Sequence, residues 1–193
     1  MAPHIVLASG SPRRKEILAS LGLLFEVRAT DVDETLLPGE SAFDAAERLA
    51  RFKAGAAAAG VPEALVVAAD TLVVLDGVAL GKPRDRGDAR GMLAALAGRA
   101  HDVVTGLACA EGGRIVSGRD TTRVVLAPMS PAEIEAYAAT GEPDDKAGSY
   151  ALQGIGGFFV ERVMGSPSNV VGLPVRLLYR LARELGVDLA LRP

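Results

Sequence analysis

Acids and bases recur along this chain at positions where neither is easily accommodated. Asp70 follows the apolar run Leu65-Val66-Val67-Ala68-Ala69 and precedes a second run, Leu72 to Leu75. An ionised Asp among strand-forming aliphatics is costly to bury unless it is paired, hydrogen-bonded or bound to a metal. Asp76-Gly77 then reads as a two-residue hairpin turn, which returns the chain to Gly81-Lys82-Pro83-Arg84. An acid at a strand end, with a lysine brought back beside it, suits a metal and an anionic substrate. Near the start, Ser9-Gly10-Ser11-Pro12-Arg13-Arg14 joins a short apolar strand to a helix whose first turn holds two arginines. Cations there oppose the helix dipole unless an anion is present, and free N–H groups of a first turn point at such a ligand. The loop lacks the Gly-Lys-Ser/Thr ending of a Walker motif. Asp31, Asp33 and Glu34 place three acids within four residues, an oxygen-rich set of the kind hard divalent ions take. Solvated loop acids are the commoner alternative.

The elements that must hold these residues alternate between strand and helix. His4 to Ala8 and Phe25 to Arg28 read as short strands, with a helix between them that starts at Ser11-Pro12 and ends at Gly22. Ser41 with Asp44 resembles a capping box for a long helix through Ala59, apolar at Phe43, Ala46, Leu49 and Ala50. Lys53 lies on it and reads as a surface lysine. Asp85 to Ala97 is a further helix. His101 to Ala110 and Arg114 to Leu126 are long strands joined at Glu111-Gly112-Gly113. Ser130-Pro131-Ala132-Glu133 is a capping box for the next helix. A polar, turn-rich stretch, Glu142 to Tyr150, leads into Gln153-Gly154-Ile155-Gly156-Gly157, then a strand over 158–163 and a last helix over 174–185. The glycines precede their strand, so they are not a dinucleotide fingerprint. Gln153 has an amide that can pair with a base edge.

The chain has 193 residues, 49% hydrophobic and 23% charged, with a net charge of −3. That predicts one domain, residues 1–193, with two lobes. It lacks the basic excess of a nonspecific nucleic-acid binder, so nucleic acid is a disfavoured partner. A single cysteine, Cys109, lies in an apolar run, where it reads as a small buried hydrophobe; His101 also reads as structural. No basic leader and no run of about 20 apolar residues stands out, so a membrane partner is not expected and a cytoplasmic location is. The inventory supports metal-assisted hydrolysis of a phosphoanhydride by activated water.

LASGSPRRKEIL (7–18), AADTLVV (68–74), LGKPRD (80–85), DKAGSYALQGIGGFFVERVMGS (145–166) and NVVGLP (169–174) together resemble the Maf family of nucleotide pyrophosphatases, in family order and across nearly the whole chain. The resemblance implies an α/β fold with a mixed sheet, elongated and two-lobed about a central cleft, like that of inosine triphosphate pyrophosphatases, and often a homodimer. It implies hydrolysis of a nucleoside triphosphate to monophosphate and pyrophosphate with Mg²⁺ or Mn²⁺, as house-cleaning of nucleotide pools. Asp70 then matches the proton acceptor; Ser9, Arg13, Arg14, Lys53 and Lys82 match the phosphate-holding residues; Glu34, with Asp70, matches the metal site. Arg13, Thr71 and Gln153 match the specificity positions of members that prefer dTTP and UTP, whereas the 7-methyl-GTP branch usually departs there. Nearby cations are expected to lower the pKa of Asp70. The family is also associated with inhibition of septum formation, which leaves a non-catalytic regulator of cell division as the alternative.

Overall fold

The computed structural model describes residues 3–190. A mixed sheet of seven strands forms its frame, ordered β2 (Phe25–Val27), β1 (Ile5–Leu7), β3 (Leu65–Leu75), β5 (Ala100–Glu111), β6 (Arg114–Leu126) and β7 (Val160–Met164), with β4 (Val78–Leu80) added to β3. β1 runs parallel to β2 and β3; every other pairing is antiparallel. The expected α/β class with a mixed sheet is therefore borne out. Both tight hairpins form where expected: Asp76 and Gly77 turn with φ of 50° and 81°, and Gly112 and Gly113 with 56° and 78°. Positive φ at both central residues matches the twist of the flanking strands.

The helices pack on both faces of this sheet. Strand alternation sends Val66 and Ala68 of β3 to one face, under Ala50, Ala54 and Ala57 of α2 (Ala42–Ala58). It sends Leu65, Val67 and Ala69 to the other, against Leu18 of α1 (Pro12–Ser20) and Leu177, Leu178 and Leu181 of α6 (Val175–Glu184). Further along the same strand, Val73 and Leu75 join a second core with Leu93 and Leu96 of α3 (Arg86–Leu96) and Ile134 and Tyr137 of α4 (Pro131–Ala139). β5 repeats the pattern, with Leu107 and Cys109 in the first core and Val103 in the second. Two long strands thus run unbroken between two apolar cores. At the crossing they carry Asp70, Thr71, Thr105 and Gly106, with Asp70 opposite Gly106 and Thr71 opposite Thr105.

Pairing along one edge of β3 explains why a cleft opens there. β1 covers residues 65–67 and β4 covers 73–75, so neither reaches 68–72. The sheet is notched at its polar crossing. Gly106 fixes the depth of the layer above: a Cβ on it would lie 2.1 Å from the carbonyl oxygen of Ala46 and 2.4 Å from the backbone nitrogen of Glu47. Because residue 106 has no side chain, α2 lies directly on the β5 backbone.

Several local details differ from the sequence reading. Residues 154–159 form a 3₁₀ turn, and β7 starts only at Val160. The glycines keep this stretch too tightly turned to pair as a strand. Ser41 caps α2 by accepting from Asp44 N–H at 3.1 Å, and the capping box at Ser130 and Glu133 is complete. The short helix α5 (Pro167–Val171) follows β7.

Candidate active site

A cleft of about 570 Å³ opens at the notch, and Ser9, Arg13, Arg14, Glu34, Lys53, Asp70, Thr71, Lys82 and Gln153 all line it. The nine come from six separate stretches of the chain, brought together by the fold. Of the three loop acids only Glu34 lines it; Asp33 instead accepts from Thr35 N–H at 2.9 Å, and Asp31 is exposed. Those two correct the broader reading of a three-acid cluster.

At the floor, Asp70 projects towards α2 and meets Lys53. Lys53 Nζ lies 2.5 Å from Asp70 Oδ1 and 2.6 Å from Glu34 Oε1. Lys53 is buried, only 8% exposed, which corrects its reading as a surface residue. The signal was present: Lys53 follows Ala46 by two turns and Leu49 by one, so it extends the apolar stripe. The pKa of Asp70 also departs from expectation. Burial raises it, and this outweighs the opposing pull of Lys53 and Arg14. Glu34 goes the other way. Its partial burial acts to raise its pKa, but the Lys53 hydrogen bond and charge, with Lys82 and Arg14, leave it lowered.

On the opposite face of β3, Thr71 meets Arg14 of α1. Arg14 donates through Nε to the Gly172 carbonyl at 2.8 Å, through one terminal nitrogen to Ser9 Oγ at 3.0 Å and through the other to Thr71 Oγ1 at 3.1 Å. All three acceptors are neutral. Burial lowers the Arg14 pKa from 12.5, yet an arginine remains protonated at neutral pH. The first turn of α1 therefore presents a partly buried positive charge without a hydrogen-bonded carboxylate. Ser11 makes no side-chain cap; its N–H bonds to Ser9 Oγ at 3.2 Å. This is an environment for an anion.

Arg13 reaches across the cleft mouth to Asp145 at 3.4 Å, and Lys146 bonds Asp145 at 2.6 Å. Both residues line the cleft and were missed in sequence as site residues, because acid-rich turns rarely announce a ligand. Gln153 is held indirectly. Glu142 accepts from Ile155 N–H at 3.0 Å, Gly156 N–H at 2.9 Å and the Tyr137 hydroxyl at 2.8 Å, while Ala151 N–H donates to that hydroxyl at 3.1 Å. The two residues clamp the loop on both sides of Gln153.

Among the described residues no group of three or more His, Cys, Asp or Glu side chains could hold a metal ion. The donor chemistry nevertheless fits a hard cation. Two carboxylates converge on one positive group, and Mg²⁺ commonly takes one or two carboxylates with the rest of its ligands from water and phosphate. Cys109 is fully buried and its thiol is pushed up to about 12, so it supplies no nucleophile. His101 is buried beside Tyr150, 2.7 Å from its hydroxyl, as a structural residue.

A family model described as "Maf-like protein" matches residues 4–185. The chain belongs to the Maf-like family. Its similarity to Maf-like relatives extends over nearly their full lengths. A "dTTP/UTP pyrophosphatase" of Anaeromyxobacter dehalogenans is 53% identical, over 98% of this chain and 97% of the relative. One of Myxococcus xanthus is 50% identical (97% and 95%) and one of Chromobacterium violaceum 48% (96% and 96%). Among solved structures, the Ham1 protein of Staphylococcus aureus matches 64% of this chain and 72% of its own, with a TM-score of 0.47 and 20% identity.

Proposed function

We propose that this chain is a nucleoside triphosphate pyrophosphatase that hydrolyses dTTP and UTP to the monophosphate and pyrophosphate. The observation that carries the reading is Asp70, a buried carboxylate beside Lys53 at the floor of a cleft whose other charged groups are mostly cationic. Relatives about half identical over nearly their whole length bear that activity in their names.

In this mechanism Asp70 orients a water and accepts its proton as the oxygen bonds to the α-phosphorus. The bond from the α-phosphorus to the bridging oxygen breaks, and pyrophosphate departs. Arg13, Arg14 and Lys82, all on the cleft lining, neutralise the leaving group, and Ser9 donates a hydrogen bond to a phosphate oxygen. Lys53 holds Asp70 and Glu34 in place. A divalent cation held by Glu34 and Asp70 would add charge stabilisation at the phosphates. The raised pKa of Asp70 makes it a stronger base than an ordinary aspartate, while Lys53 and Arg14 limit that rise. Arg13, Thr71 and Gln153 set substrate preference. The protein works as one domain with two lobes, in the cytoplasm and as a homodimer. No helix among the described residues is long and apolar enough to cross a membrane.

The test is product analysis with dTTP, UTP, CTP and 7-methyl-GTP, with and without Mg²⁺, on the wild type and Asp70→Asn. Monophosphate and pyrophosphate from dTTP and UTP are expected, with turnover reduced at least about 10³-fold in a folded Asp70→Asn protein. Full activity in that variant removes Asp70 from the mechanism, and 7-methyl-GTP as the leading substrate overturns the pyrimidine preference.

A further inference from the structure

We infer that Thr71 meets the substrate only as a hydrogen-bond acceptor, so the group opposite it is an N–H or O–H of the nucleoside, and that buried Thr105 enforces this polarity. The inference rests on the nucleoside triphosphate reading above. It follows from counting protons: a threonine hydroxyl has one proton to donate and two lone pairs.

The count starts at a backbone carbonyl, which can only accept. Thr105 Oγ1 lies 2.9 Å from the Asn169 carbonyl, so its single proton goes there. That carbonyl has a second lone pair, filled by Gly172 N–H at 3.0 Å. Thr105 Oγ1 is also 3.0 Å from Thr71 Oγ1. With the Thr105 proton committed, the proton between the two hydroxyls belongs to Thr71. Arg14 then donates into Thr71 at 3.1 Å, since a guanidinium can only donate. The chain runs one way, from Arg14 through Thr71 and Thr105 to Asn169.

The far end of this chain is fixed. Thr105 and Asn169 are both fully buried. Asn169 donates its side-chain amide to the Val103 carbonyl at 2.9 Å and to Thr122 Oγ1 at 3.0 Å. What Thr71 retains on the cleft side is a lone pair.

Ser9 shows the opposite polarity from the same arginine. Its Oγ accepts from Ser11 N–H and from Arg14, so both lone pairs are used and its proton is free to donate. Phosphate oxygens are acceptors. Ser9 complements them, whereas Thr71 would repel them. Thr71 therefore marks where the phosphate part of the cleft ends and the nucleoside part begins. Among nucleoside groups, dTTP and UTP share two donors, the imide N–H of the base and the 3′-hydroxyl.

The experiment compares kcat/KM for UTP, 3-deaza-UTP (no imide N–H) and 3′-deoxy-UTP (no 3′-hydroxyl) in wild type, Thr71→Val, Thr71→Ser, Thr105→Val and Thr105→Ser. In the wild type, the analogue lacking the facing donor should lose about tenfold relative to UTP. That loss should vanish in Thr71→Val and persist in Thr71→Ser. In Thr105→Val the Thr71 proton is released to turn into the cleft, so the discrimination should shrink; Thr105→Ser should keep it. Which analogue suffers identifies the donor. If Thr105→Val does not fold, the comparison of Thr71→Val with the analogues still decides the polarity of Thr71. Unchanged ratios in Thr71→Val overturn the inference, and Gln153→Ala then shows separately whether the base is read at all. A collapse in Thr71→Val with wild-type ratios in Thr105→Val overturns the part assigned to Thr105.

Discussion

At the scale of single residues, burial governs protonation. His101 is 2% exposed, its ring bonded to Tyr150, and desolvation lowers its pKa from 6.5 to about 4. The folded state thus favours the neutral ring and the unfolded state binds the extra proton first. Stability from this source is complete above pH 6.5 and is lost as the pH falls towards about 4. The loss amounts to about 3 kcal/mol at most. Denaturant unfolding at about pH 7 and about pH 4 should show a smaller acid loss for His101→Gln than for the wild type. Equal losses would mean that carboxylates alone drive acid unfolding. Site residues were unequally legible at this scale. Asp70 and the Arg13-Arg14 turn break charge rules in the sequence itself. Lys53 breaks one too, as a charge inside an apolar stripe, but a lysine on a helix is so commonly solvated that the stripe reads as ending before it. The sequence points to the wrong sign for the Asp70 pKa shift, because cations can be named from sequence whereas the depth of burial comes only from packing.

At the scale of elements, the position of α2 decides whether the site exists. Ala46 rests on the bare backbone of Gly106, and two turns later the same helix face delivers Lys53 to Asp70, the residue paired with Gly106. Adding one methyl at 106 would meet backbone rather than a flexible side chain, so the helix must lift. Gly106→Ala should lose about 1–3 kcal/mol of stability and a larger share of turnover, since Lys53 moves with the helix. A denaturant midpoint and turnover both at wild-type values would refute this coupling. Such a contact is invisible in sequence, where Gly106 is one glycine inside an apolar run. The elements themselves were far more readable. Capping residues at Ser41 and Ser130, the turns at Asp76-Gly77 and Gly112-Gly113, and strand alternation located most helices and strands within a residue or two. The start of the strand expected over 158–163 is wrong by two residues because Phe158 and Phe159 favour strand in isolation, whereas Glu142, bonded to Ile155 and Gly156, holds the preceding backbone turned.

At the scale of the whole molecule, two apolar cores share the strands β3 and β5, and the site lies between them where one edge of β3 has no neighbour. In mechanical terms this is a continuous beam notched on one side. The ladder joining β3 to β5 carries load through the notch, so relative movement of the two halves is a flexing of hydrogen-bonded strands. A substrate lying in the notch bridges the missing edge and stiffens the weakest section. Hydrogen exchange should therefore slow on nucleotide binding mainly in residues 68–72 and 104–107, with little change in the distant helix α6. Protection spread evenly over all helices would count against a notch as the flexing point. Closure of this cleft would then be small in amplitude and fast to reverse, a stiff spring that grips a triphosphate and lets the shorter products go.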